Sequence, residues 1–227
     1  MCGRFTLRSS MSDVAKVFGV AAEGEAAPSF NIAPTQSVWA VRAAADGPRE
    51  LCSLRWGLVP SWADDLSIGN RMINARAESV ATKPAFRRAF KTRRCLIVAD
   101  GFYEWRKAGR QKQPYYIRLK SDRPVGFAGL WETWTKGDAP VETCCIITTT
   151  ANELVATIHD RMPVIVPPDA YERWLTLDAG EVDLLQPVLR PYPATAMTAF
   201  PVGTRVNNPT YSEADCIEPD PRQALFG

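Results

Sequence analysis

A chain of 227 residues with 46% apolar and 23% charged side chains is large enough to bury a substantial core, and its balance excludes disordered and collagen-like classes. A formal charge of +2 is close to neutral overall. No apolar run approaches the roughly 18 residues of a membrane-spanning helix, and the first residues lack the basic stretch and apolar core of a secretion signal. We therefore expect a cytoplasmic monomer with no membrane contact, one domain over residues 1–227, and a solvated acidic tail from about residue 210.

In chain order, "SSMSDVAKVFGV" reads as a short helix with a serine N-cap and Gly19 near its end. "EAAPSFNIAPTQ" reads as a proline-punctuated loop. "SVWAVRAA" and "ELCSLRWGLVP" alternate like the two strands of a hairpin joined through "ADGPR". Residues 78–90 look helical despite Pro84. Strand candidates then follow closely: "CLIVADGFYEW", "QPYYIRLK" after the turn-like "KAGRQ", "VGFAGLWETW" and "TCCIITTT". "ANELVATIHD" reads as a helix capped near Thr150, "MPVIV" as a strand, and "PPDAYERWL" as a helix with proline in its first turn. The sum is an α+β chain with a curved or barrel-like sheet and peripheral helices.

The near-neutral total hides a local excess. Residues 71–94 hold eight basic side chains against one acidic, Glu78, so this stretch is net +7 and the remainder net −5. Both a solvated helix face and a strip that grips phosphates fit this pattern.

Motifs for phosphate loops, dinucleotide binding, zinc proteases and serine hydrolases are absent. Six cysteines (Cys2, Cys52, Cys95, Cys144, Cys145 and Cys216) show no CxxC spacing, and with a single histidine they suggest neither a metal site nor any cofactor. What remains is sparse. Cys2 directly follows Met1, so removal of the methionine would place an α-amine and a thiol on neighbouring carbons. Glu104 sits between Tyr103 and Trp105, where aromatic neighbours can desolvate its carboxyl and raise its pKa. His159, the only histidine, lies where a helix gives way to a strand. Asn74, in "MINARAES", either orients a small polar group or caps a following helix. Arg4 and Arg76 suit phosphates or carboxylates.

Together, "MCGRF", "FNIAPTQ", "LRWGLVPSWA", "MINARAES", "RRCLIVADGFYEWRK", "GFAGLW", "TTTAN", "IHDRMPVIV" and "VGTRVNNP" cover nearly the whole chain in order. In this the sequence resembles the SRAP family, whose members process abasic sites in DNA. The resemblance implies a barrel-like α+β domain with a basic groove for single-stranded DNA and a catalytic set of Cys2, Asn74, Glu104 and His159. It puts DNA-phosphate contacts at Arg4 and Arg76. The basic segment, with Arg71, Arg87 and Arg88, would add to that grip, and Trp62 would stack on a base. Some members carry a second tryptophan where this chain has Ala63, which leaves the stacking detail open.

The implied chemistry is physically coherent. An α-amine has a pKa near 7.7–8.0 against about 10.4 for lysine, so its reactive neutral fraction at neutral pH is larger by a factor on the order of 400. It can condense with the aldehyde of a ring-opened abasic sugar, and the thiol of the same residue can then close a five-membered thiazolidine. Glu104 would donate protons, His159 would assist at the sugar oxygen, and Asn74 would hold the new terminus. Release of Met1 by the protein itself and strand cleavage through the Schiff base are further expectations. The competing readings are a cysteine peptidase acting on other proteins and a non-catalytic single-strand-binding module.

Overall fold

The computed structural model describes residues 2–21, 26–44, 47, 49–109 and 111–221. The first elements are strand β1 (Phe5–Leu7), helix α1 (Met11–Phe18) and strand β2 (Ser29–Ile32). Helix α1 follows its sequence signals: the Ser10 hydroxyl accepts from the Asp13 N–H, Gly19 ends the helix at φ 64°, and Met11, Val14 and Phe18 form its buried face. Strand β2 lies inside the segment expected to be a loop. Phe30 and Ile32 alternate in it, and pairing with β1 (Phe5 opposite Ile32) overrides the flanking prolines.

Strands β3 (Ser37–Arg42) and β4 (Glu50–Trp56) form the expected antiparallel hairpin; part of its "ADGPR" turn lies outside the described residues. A short strand β5 (Asn74–Arg76) precedes helix α2 (Arg87–Thr92). The helix expected over residues 78–90 is thus corrected to a run of turns with a helix only at its end. Pro84 brings no N–H and disfavours helical geometry at Lys83, so the chain turns through the Thr82 and Lys83 N–H bonds to the Ser79 carbonyl instead.

Strands β6 (Arg94–Ala99) and β7 (Gly101–Ala108) divide what reads as one apolar run. The break is Asp100, whose buried carboxylate accepts the backbone N–H groups of Arg8 and Ser9 and the Ser9 hydroxyl (2.5 Å for the last). Next come β8 (Gln111–Leu119), β9 (Val125–Trp134), β10 (Val141–Thr150) and a one-turn helix α3 (Glu153–Ala156). That helix is capped by Asn152 and not near Thr150, the Asn152 side chain accepting from Val155 N–H at 2.9 Å. Strands β11 (Arg161–Pro163) and β12 (Ile165–Val166), helix α4 (Tyr171–Thr176) and strand β13 (Met197–Pro201) complete the set.

Pairings β3–β4, β4–β10, β10–β9, β9–β6 and β6–β3 close a five-stranded barrel, to which β5, β11 and β12 attach. The second sheet has the order β13-β8-β7-β1-β2. The α+β, barrel-like architecture expected from the strand spacing is therefore what the chain adopts. The core lies between the two sheets, where Phe5 and Phe102 meet Trp56 and Phe127 edge-on at 5.1–6.1 Å.

The acidic tail is also corrected. Residues 210–221 pack on the outer face of the second sheet, where Cys216 joins Tyr103, Tyr116, Val202 and Val206 in a separate apolar cluster. Asn31 clamps this segment. Its Nδ2 donates to the carbonyls of Val206 (3.1 Å), Asn208 (3.0 Å) and Tyr211 (2.6 Å). Among the described residues no helix is long and apolar enough to cross a membrane.

Candidate active site

Residue 2 is brought to the edge of the second sheet by β1. The Tyr103 N–H donates to the Arg4 carbonyl at 3.0 Å, which lays the chain start alongside β7 and Glu104. From the barrel side, Asn74 Nδ2 donates to the Cys2 carbonyl at 2.7 Å. Asn74 is held there by a tight turn. Gly57, at φ 130°, abuts Gly69 so closely that a Cβ on Gly57 would stand 2.7 Å from the Gly69 carbonyl oxygen. The Trp56 indole N–H then fixes the Ile73 carbonyl at 2.9 Å. The Asn74 Oδ1 is buried and has no hydrogen-bond partner among the described residues.

Glu104 is 2% exposed, and burial pushes its carboxyl from an ordinary 4.5 up to about 7. Its Oε2 stands 3.9 Å from His159 Nε2. Burial also lowers the histidine below its ordinary value, so the imidazole is neutral at pH 7. The Arg161 N–H donates to Nδ1 at 3.0 Å, which puts the proton of the neutral ring on Nε2, facing Glu104. Asp160 Oδ1 is also 3.0 Å from Nδ1, but that contact becomes an ion pair only when the ring is charged. Cys2, Asn74, Glu104 and His159, spread over 158 positions of sequence, thus come together at one place.

Cys2 is fully buried. Burial pushes the thiol far above its usual range, and the charge of the neighbouring Glu104 raises it further. The opening lies one layer out. Glu104, Trp105, Lys112, His159 and Asn207 line a cleft of about 500 Å³.

Residues expected to touch DNA divide into two groups. Arg71, Arg76, Arg87 and Arg88 are exposed, and Arg76 shares the face of β5 with Asn74 by strand alternation. Trp62 is 56% exposed, the largest solvent-facing aromatic among the described residues. Arg4 is instead half-buried, its Nη1 donating to Asn31 Oδ1 and the Val206 carbonyl, both at 2.7 Å. Two members of the basic run are structural as well: Arg94 is buried against four backbone carbonyls, and Arg93 pairs with Glu132.

Sequence reasoning did not single out Trp105, Lys112, Asn207 or Arg161. The Trp105 indole N–H is pinned to Asn207 Oδ1 at 2.7 Å. Arg161 forks onto Glu78 with bonds of 2.6 and 2.9 Å and donates to the Thr148 carbonyl. The apolar "MPVIV" drew attention away from the arginine before it, and Asn207 lies in "VGTRVNNP", more than 100 positions from the Trp105 it holds.

Comparison with known proteins agrees with this geometry. The chain is 44% identical over 223 residues to the abasic site processing protein YoqW of Bacillus subtilis, covering 96% of this chain and 99% of that one. It is 34% identical to the abasic site processing protein HMCES of Gallus gallus, covering 87% and 68% of the two chains. A crystal structure of a protein from Bacteroides thetaiotaomicron superposes with a TM-score of 0.84 at 24% identity, covering 96% of this chain and all of the other, a likeness of fold. The family model described as SOS response associated peptidase matches residues 1–209, and the chain belongs to that SRAP family.

Proposed function

We propose that this chain captures ring-opened abasic sites in single-stranded DNA as a covalent adduct through the amine and thiol of Cys2, after removal of residue 1. The observation that carries the reading is the convergence of Cys2, Asn74, Glu104 and His159, with a buried carboxyl whose value is raised to about 7, so that a substantial share is protonated near neutral pH beside the residue that becomes the amine. The names of the relatives, as abasic site processing proteins, support the substrate class.

In this mechanism Glu104 donates a proton to the ring oxygen as its bond to C1 breaks and takes up the proton of the C1 hydroxyl, which restores the acid. The Cys2 amine then adds to the freed aldehyde carbon, its proton passing to the carbonyl oxygen. The carbinolamine loses water, with Glu104 protonating the departing hydroxyl, to give the Schiff base. The thiol then adds across the C=N bond, its sulfur bonding to carbon and its proton passing to nitrogen, to leave a thiazolidine. Neutral His159, with its Nε2–H toward Glu104, donates to the sugar oxygen. Asn74 fixes the Cys2 carbonyl, and its unpaired Oδ1 offers an acceptor to the new terminus. If the ring does not close, the same Schiff base supports β-elimination and strand cleavage, a lyase outcome.

The thiol argues against a peptidase acting on other proteins. A cysteine hydrolase needs a thiolate stabilised by a neighbouring cation, whereas here burial, which outweighs the lowering by the N-terminal charge, holds the thiol protonated. The test is incubation of the processed protein with an abasic single-stranded oligonucleotide. Wild type should give a heat-stable adduct, whereas Cys2→Ala and Cys2→Ser, which keep the α-amine but lack the thiol, should give only a heat-labile imine that borohydride traps. Undiminished heat-stable adduct from Cys2→Ala would refute the reading.

A further inference from the structure

The cleft has two walls from different sheets. His159 stands just before β11, which is joined to the barrel, while Glu104, Trp105 and Lys112 stand on the β7–β8 hairpin of the second sheet. In the hairpin register Lys107 lies directly opposite Lys112. Side chains directly opposite in an antiparallel pair share a face, and like charges placed so are destabilising. Both lysines are exposed, and among the described residues neither makes an ion pair that would relieve the repulsion. Strand alternation puts Trp105 on the same face, two residues before Lys107, its ring fixed by Asn207. Arg106 points the other way, its guanidinium 4.8 Å over the Tyr115 ring.

Trp105 and Lys112 line the cleft with Glu104 and His159, and Lys107 stands opposite Lys112 at its margin. An aromatic plate beside two uncompensated cations matches the chemistry of a single-stranded nucleic acid, a base to stack and phosphates to neutralise. We infer that the β7–β8 hairpin forms the second wall of the DNA groove, Lys107 and Lys112 each taking a phosphate of the strand that flanks the captured sugar. This rests on the proposed function, and it adds a strand-binding surface distinct from the basic run of residues 71–94. The repulsion between the two lysines is then a cost in the free protein that DNA binding removes.

The experiment measures non-covalent affinity for a single-stranded oligonucleotide carrying a tetrahydrofuran abasic analogue, which has no aldehyde, between 50 and 200 mM salt. Each phosphate contact on a single strand contributes about 0.7 to the slope of log affinity against log salt. The Lys107→Ala/Lys112→Ala double variant should therefore have a slope shallower by about 1.4. Its affinity deficit against wild type should shrink about sevenfold across that salt range. Arg106→Ala should leave the slope at the wild-type value. A double variant with an unchanged slope, or an Arg106→Ala variant equally flattened, would overturn the inference. Adduct formation by wild type with an aldehydic abasic site is scored separately, so loss of the proposed function and loss of this inference give different results. Thermal unfolding of the variants verifies that these exposed substitutions leave the fold intact.

Discussion

The pH dependence of adduct formation tests the buried carboxyl most directly. The proposed chemistry needs Glu104 protonated and the Cys2 amine neutral at once. With Glu104 near 7 and an α-amine at about 7.8, the doubly competent fraction peaks near pH 7.4 at about 8%. A carboxyl left at its ordinary 4.5 would give about 0.04% at the same pH, so burial raises the competent fraction about 200-fold. The initial rate of adduct formation, measured from pH 5 to 9.5, should follow a bell that falls about tenfold per pH unit on both sides. Glu104→Gln should lower the rate by about 10²–10⁴-fold and remove the alkaline fall, leaving a profile that rises with the amine and then levels. A wild-type rate that keeps climbing above pH 8.5, or a Glu104→Gln profile that keeps its alkaline fall, would refute the reasoning.

Stability gives an independent reading of the same group. A folded-state value raised from 4.5 to about 7 means that the protonated acid favours the fold; the contribution is complete below about 4.5 and gone above about 7. Urea unfolding should therefore show wild type losing about 3 kcal/mol relative to Glu104→Gln between pH 4 and pH 8, and parallel pH profiles for the two would contradict this. Asn31→Ala removes a side chain that serves three carbonyls and Arg4, and it should cost about 2–3 kcal/mol in urea unfolding; a loss under about 0.5 kcal/mol would dismiss the clamp. Trp62→Ala should change stability by less than about 0.5 kcal/mol while weakening single-strand binding by about 1–3 kcal/mol, read by titration. Equal affinity would remove Trp62 from the stacking surface.

Much of this architecture is legible in local pattern. Alternation marked the barrel strands, and Ser10 with Gly19 marked α1, because those signals act within a few residues. What escaped depends on partners distant in sequence. The pairing that makes residues 29–32 a strand comes from Phe5 and its neighbours, and nothing inside "PSFNIAP" announces it. The C-terminal segment reads as acidic and solvated because its apolar members, Cys216 and Ile217, are few and the clamp that orders it is Asn31, far upstream. At the site, Glu104 is buried, but Tyr103 and Trp105, the flanks expected to desolvate it, point to the opposite face of β7, and Arg4 looked like a free cation because the carbonyl it holds lies on residue 206. The burial of Cys2 could not be read from its immediate neighbours Gly3 and Arg4.

The bond between Arg4 and the Val206 carbonyl joins positions 202 apart. During synthesis the first of these emerges long before the second, so a truncated product lacking residue 206 carries Cys2 without the contact that fixes the neighbouring Arg4.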